Sequence, residues 1–100
     1  MLARHWTVYI LRCGDGSLYT GITDRLQKRL EAHRAGRRGA RYTRSRLPIE
    51  LVWSSGRKSG TEARKLEHAI KRLTRREKLR LVAGSRRLWS RLRRAVLGAV

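Results

Sequence analysis

Two tyrosines, an arginine and a histidine stand close together in this chain. Tyr9 and Tyr19 lie in apolar, strand-like runs, and Arg29 and His33 follow four residues apart on a helix-like segment. Phosphodiester cleavage requires groups of this kind: an activated water, a positive charge to meet the charge growing on the phosphoryl oxygens, and help for the leaving oxygen. A hard divalent cation on carboxylates supplies much of this in many sites. Here there are only 7 acidic residues, no two close in sequence, so a carboxylate-crowded two-metal site is not expected. One cysteine and the scattered His5, His33 and His68 give no zinc-ligand spacing, and no Walker loop, nucleophile elbow or dinucleotide fingerprint is present. What remains is a one-metal site. In it Glu67 holds Mg²⁺ or Mn²⁺ with waters completing the shell, and Arg29 stabilises the transition-state charge. A tyrosine near both cations, its pKa lowered from about 10, takes a proton from the attacking water. His33 orients groups or shuttles protons. Read singly, each residue has an ordinary explanation: Arg29 a surface charge, His33 a packed or solvated ring, Glu67 an i, i+4 partner of Lys71.

These groups can cooperate only if the chain holds them on one face. Residues 5 to 12 alternate and are rich in β-formers, apolar on both faces, as in a central strand covered on both sides. Cys13-Gly14-Asp15-Gly16-Ser17 is a turn signal, so a hairpin follows. A two-residue Asp15-Gly16 turn would put Tyr9 and Tyr19 on opposite faces. A three-residue Gly14-Asp15-Gly16 loop pairs Cys13 with Ser17, sets Tyr19 opposite Leu11 and Tyr9 opposite Gly21, and brings both rings to one face. The functional reading requires this register, with Gly14 and Gly16 supplying positive φ. Gly21 either leaves open space beside Tyr9 for a phosphate or marks a bulge or strand end.

Thr23 or Asp24 can cap a helix that Gly36 ends, with Leu26, Leu30 and His33 turned inward. Gly36 to Leu47 reads as a loop in which five arginines surround Tyr42. That composition matches a groove for a nucleic-acid backbone with a stacking ring, and the alternative is a solvated loop with Tyr42 in the core. The expected nucleic-acid contacts are Arg25, Arg37, Arg38, Arg41, Tyr42, Arg44, Arg46 and Lys71. A third strand over Ile49 to Ser54 follows Pro48. Ser59-Gly60-Thr61-Glu62 then opens a helix with Leu66, Ile70 and Leu73 buried and Glu67 beside that stripe. Thr74-Arg75-Arg76-Glu77 opens another, which ends near Gly84. Ser85 to Val100 forms a basic amphipathic helix that docks on the domain and contacts phosphate, with a membrane surface as the weaker alternative.

One hundred residues suit one core. Residues 1–83 are read as the domain and 84–100 as its helical tail. With 26 Lys+Arg against 7 Asp+Glu the formal charge is +19, and the default partner is a nucleic acid: DNA, with RNA left open. Since 21 of those cations are arginine, base composition contributes to the magnitude, but the sign stands. Cys13, the only cysteine, precludes an intrachain disulfide and fits a reducing compartment. With no signal peptide and no apolar run near the ~20 residues a span needs, the expected location is cytoplasmic, nucleoid association included. No membrane and no obligate protein partner are expected.

The same residues resemble the GIY-YIG endonuclease domain, in particular its short stand-alone bacterial branch, the YhbQ-like proteins. Thr7-Val8-Tyr9 is similar to the first motif and Tyr19-Thr20-Gly21 to the second. Arg29 matches the family arginine, His33 the His/Tyr position one turn later, and Glu67 in Leu66-Glu67-His68-Ala69-Ile70-Lys71 the metal-binding glutamate. Gly39-Ala40-Arg41-Tyr42-Thr43 and Leu47-Pro48 also resemble that branch. The first motif lacks its Gly-Ile pair, Ile22 stands where repair relatives can carry a basic residue, and the chain has no asparagine. The resemblance covers roughly Trp6 to Leu81. It implies an α+β fold, a three-stranded antiparallel sheet flanked by helices in the order β-β-α-β-α, to which the residues beyond it add the helical C-terminal extension. It also implies a metal-dependent nuclease acting on branched, nicked or single-stranded DNA in repair or recombination. The rival reading is a non-catalytic nucleic-acid binder that retains the fold.

Overall fold

The structure is a computed structural model and describes residues 5–36, 41–57 and 59–98. Its centre is the strand β1 (Trp6–Arg12), in which Val8 to Leu11 are all buried. Apolar side chains on both faces force a strand to the middle of a sheet. β1 accordingly pairs antiparallel with β2 (Leu18–Thr23) on one side and β3 (Glu50–Arg57) on the other, giving the order β2-β1-β3. β3 runs three residues beyond its expected end at Ser54. Ser55-Gly56-Arg57 has turn-like composition, but pairing with Trp6, Thr7 and Val8 keeps it extended.

The hairpin has the three-residue loop and the register that the chemistry required. Cys13 N–H donates to Ser17 at 2.9 Å, Leu11 faces Tyr19 and Tyr9 faces Gly21. Of the two loop glycines only Gly16 has positive φ, +84°. Gly14 serves a different purpose from the expected one. Its N–H donates to the Arg46 carbonyl at 2.6 Å, and a Cβ there would stand 2.5 Å from the Leu47 oxygen. Only a residue without a side chain lets the loop lie against that segment.

The helices lie on both faces of the sheet. α1 (Leu26–Ala35) covers the Tyr9 face, burying Leu30 and His33, and Gly36 ends it in the left-handed conformation with φ 66°. Its start differs from expectation. The N-cap position is Arg25, which offers no side-chain cap, and Thr23 Oγ1 instead accepts the Arg25 N–H at 3.0 Å. The region expected as a loop holds a short helix, α2 (Arg41–Arg44), because the buried Thr43 anchors it beneath α1. Arg37 and Arg38 lie outside the described residues.

On the opposite face Val8 and Ile10 pack against α3 (Gly60–Lys71), α4 (Arg75–Val82) and α5 (Arg86–Leu97) in one cluster that includes Leu66, Ile70, Leu81, Leu88 and Leu92. Ser59 caps α3 by accepting the Glu62 N–H, and Thr74 with Glu77 forms a complete capping box on α4. Each such cap is worth about 1 kcal/mol. α5 is docked, with Leu88 and Leu92 inside the core and Trp89 against Trp53 at 5.5 Å. Among the described residues no helix is long and apolar enough to cross a membrane.

Candidate active site

The odd register places Tyr9 and Tyr19 on the α1 face, and α1 delivers Arg29 and His33 onto them. Tyr9 is 1 % exposed and its hydroxyl lies 2.9 Å from His33 Nε2. The other ring nitrogen of His33, Nδ1, lies 2.7 Å from Thr43 Oγ1 on α2. Tyr19 stands edge-on to His33 at 5.2 Å and stacks on Tyr42 at 5.6 Å, so three phenol rings and an imidazole form one wall.

Burial is the largest influence on Tyr9 and pushes its phenol up to about 12. A hydrogen bond from Arg29 acts in the opposite sense, and the charge of Glu67 adds to the rise. For Tyr9 desolvation outweighs the Arg29 guanidinium, so that cation by itself does not acidify the phenol. Burial likewise pulls His33 down to about 4, with Arg29 reinforcing the fall. Both groups are thus neutral near pH 7. Arg29 can only donate, so the Tyr9 oxygen accepts from it. The proton assignment that satisfies every partner has Tyr9 O–H donating to Nε2 and His33 Nδ1–H donating to Thr43.

A neutral, buried histidine links stability to pH. Its folded pKa, about 4, lies below the ordinary value of 6.5, so over that interval the unfolded chain binds the extra proton. Stability is full above pH 6.5 and declines as the pH falls towards 4, by at most roughly 3 kcal/mol. Urea unfolding of the wild type and His33→Asn from pH 7 to 4.5 checks this. The wild type loses more stability than the variant, and parallel curves would show that His33 is not held neutral.

Gly21 is neither open space nor a bulge. A Cβ there would come within 2.6 Å of the Tyr9 hydroxyl and 3.0 Å of the Tyr19 ring, so the glycine makes room for the phenol itself. Gly21→Ala is expected to displace Tyr9 from His33 and to cost about 1–3 kcal/mol by overpacking. The thermal midpoint and the tyrosine near-ultraviolet circular dichroism report this, and an unchanged spectrum would refute it.

Glu67 lies on α3, near enough to Tyr9 for its charge to raise the phenol. Its side chain is 14 % exposed, and its carboxylate pairs with Lys71 at 3.3 Å. Glu67 is thus the expected i, i+4 partner of Lys71, and it also lies close enough to Tyr9 to affect its ionisation. No group of three or more His, Cys, Asp or Glu able to hold a metal occurs among the described residues. A cation at Glu67 would thus have one protein carboxylate and a shell of waters, an arrangement Mg²⁺ tolerates because it dehydrates reluctantly.

The expected nucleic-acid contacts divide by position. Arg25, Arg41, Arg44 and Lys71 are exposed. Tyr42 is 39 % exposed but engaged by Tyr19, and the Arg46 guanidinium lies 4.0 Å from its ring centre. Arg46 also pairs with Asp15 at 3.1 Å and donates to the Tyr42 carbonyl, bracing the hairpin loop against α2. Thr43 was not singled out from the sequence. Its signal lay in the segment Arg41-Tyr42-Thr43, but only the packing of α2 under α1 discloses that it meets His33.

Comparison with known proteins accords with this geometry. The description "GIY-YIG catalytic domain" matches residues 5–80, a span containing Tyr9, Tyr19, Arg29, His33 and Glu67. A UPF0213 protein of Desulfotalea psychrophila is 46% identical over 85 residues, covering 85% of this chain and 77% of its own. One of Natronomonas pharaonis is 48% identical over 83 residues, covering 83% and 95%. The solution NMR structure of a UPF0213 protein from Bacillus halodurans is similar with a TM-score of 0.53 at 41% identity, over 88% of this chain and 96% of that one. The chain therefore belongs to the GIY-YIG catalytic-domain family, in its short stand-alone branch with the UPF0213 proteins.

Proposed function

We infer that this protein is a metal-dependent endonuclease that hydrolyses phosphodiester bonds in branched, nicked or single-stranded DNA during repair or recombination. The observation that carries the reading is the buried Tyr9–His33 hydrogen bond with Arg29 and Glu67 both acting on the same phenol. The Tyr9 oxygen takes a proton from the attacking water while its own proton passes to His33 Nε2, so no free phenolate forms at a group whose pKa is about 12. Thr43 holds the imidazole with Nε2 turned to Tyr9. Arg29 meets the charge on the phosphoryl oxygens, and that phosphate charge in turn relieves the repulsion Arg29 exerts on a protonated His33. Tyr19 and Tyr42 wall the approach to the scissile bond. Glu67 would hold the divalent cation, Mg²⁺ or Mn²⁺, which supplies Lewis-acid stabilisation of the phosphoryl group. Arg25, Arg41, Arg44 and Lys71 contact the DNA backbone, with Arg37 and Arg38, and the protein works in the cytoplasm or on the nucleoid.

The test compares the wild type with Glu67→Ala and Tyr19→Phe on nicked, flapped and branched DNAs with Mg²⁺ or Mn²⁺. The wild type cleaves, and each variant is slower by about 10²-fold or more. Equal cleavage by all three would mean a contaminant. The Glu67–Lys71 pair favours a second reading, a non-catalytic nucleic-acid binder, because it occupies the carboxylate that would hold the metal. That reading predicts no cleavage with any metal and binding that Glu67→Ala leaves intact.

A further inference from the structure

A basic groove lies away from the tyrosines. On α3 and its C-cap the residues Thr61, Arg64, Lys65, His68 and Arg72 repeat at helical spacing, opposite the buried stripe Ala63, Leu66 and Ile70. From Thr61 to Arg72 they extend about 16 Å at 1.5 Å per residue. α5 runs beside them, and its Ala95 and Val96, with Ala69, complete a cleft of about 670 Å³. None of the chain's seven acidic residues lines it.

Ion pairing elsewhere on these helices sharpens the contrast. Glu67 takes Lys71, and Glu77 of α4 takes Arg91 of α5. Among the described residues no carboxylate pairs with Arg64, Lys65 or Arg72. A cleft with cationic rims and an apolar wall concentrates positive potential, because low-dielectric walls focus the field. A ligand that fits carries negative charges at intervals along a chain with less polar edges between them, as a sugar–phosphate backbone does. Glu67 sits on a different flank of the same helix, and Tyr9 and Arg29 lie on the other face of the sheet, so a strand gripped here is not the strand presented to the tyrosines.

We propose that the groove between α3 and α5 is a second DNA-binding surface, built from Arg64, Lys65 and Arg72, that holds a DNA segment distinct from the one entering the Tyr9 site. Two binding faces on one small domain give bivalent contact with a junction whose arms reach both, and single contact with a short linear duplex. The inference concerns binding and stands apart from whether the Tyr9 site cleaves.

The experiment measures binding of the full chain to a fluorescent four-way DNA junction and to a 12-base-pair duplex in EDTA, from 50 to 300 mM NaCl. The protein variants are the triple Arg64→Gln, Lys65→Gln, Arg72→Gln and an equal-charge control, Arg76→Gln, Arg80→Gln, Arg87→Gln, with circular dichroism confirming that both fold. The groove triple is expected to weaken junction binding roughly tenfold and to flatten the plot of log affinity against log salt by about 2–3. The loss on the short duplex is smaller, and the control triple changes the junction by less than about threefold. Equal losses in the two triples, or equal losses on the two DNAs, overturn the proposal. EDTA removes cleavage from the readout, so an inactive nuclease can still support the groove and an active one can still refute it.

Discussion

Arg29→Met is expected to slow DNA cleavage by about 10²–10³-fold and, in the same protein, to raise the His33 pKa from about 4 towards 6.5. Two independent effects of one guanidinium underlie this. It donates to the Tyr9 oxygen and so holds the phenol in place for the proton relay, and its charge opposes a second positive charge on the nearby imidazole. Without it the Tyr9 oxygen loses the donor that fixes its position between the attacking water and His33. Removing the phosphate-facing cation adds the loss of transition-state stabilisation. Single-turnover cleavage gives the first effect, and an NMR titration of the His33 ring gives the second. Arg29→Lys separates the two: the retained charge keeps His33 low, while loss of the planar donor leaves cleavage impaired. A His33 titration unchanged in Arg29→Met would mean that the guanidinium does not bear on the ring, and the reading of the site would fail with it.

The two halves of this argument were not equally legible in the sequence. The register that joins the tyrosines was legible because parity along a strand is strict. Once Cys13 pairs with Ser17, Tyr9 and Tyr19 must share a face, and residues of opposite parity must not. The central position of β1 was legible from its two apolar faces, and the inward turn of His33 from its spacing to Leu26 and Leu30. The state of Tyr9 was not. Its pKa depends on how completely α1 and Gly21 enclose the ring, and composition showed the Arg29 charge but not the burial that outweighs it. Thr43 was illegible for a related reason. A four-residue helix has no periodicity to read, and its contact with His33 spans a segment whose arginines suggested only a solvated loop. The last residues of β3 were misread because their extended form comes from β1, not from their own composition. Local patterns thus carried the geometry of the site, while tertiary enclosure set its proton chemistry.

The C-terminal helix gives the largest expected effect on stability. The sequence reads this segment as a helix docked on the domain, and the core holds its Leu88 and Leu92 at 7% and 5% exposure, beside Leu66, Ile70 and Leu81. Trp89 packs on Trp53, and Arg91 bonds Glu77 at 2.9 Å. A chain ending at Gly84 loses two buried leucines and the Trp89 contact on Trp53, and the leucines alone amount to roughly 3–6 kcal/mol at 1.5–3 kcal/mol per large apolar side chain. That is comparable with the whole stability of a small domain, about 5–15 kcal/mol, so the truncated chain is expected to be unfolded or marginal. Leu92→Ala in the full chain tests the same packing more gently and should cost about 2–5 kcal/mol. Substitutions at the exposed Arg86 and Arg94 should stay within about 0.5 kcal/mol. Urea denaturation separates these outcomes. If the truncated chain melts like the full one, α5 is a free tail whose apolar side is available to a membrane surface or a partner. If it unfolds, the Leu88–Leu92 side is already committed to the core, and the helix offers the outside its arginines and the Ala95–Val96 wall of the α3 cleft.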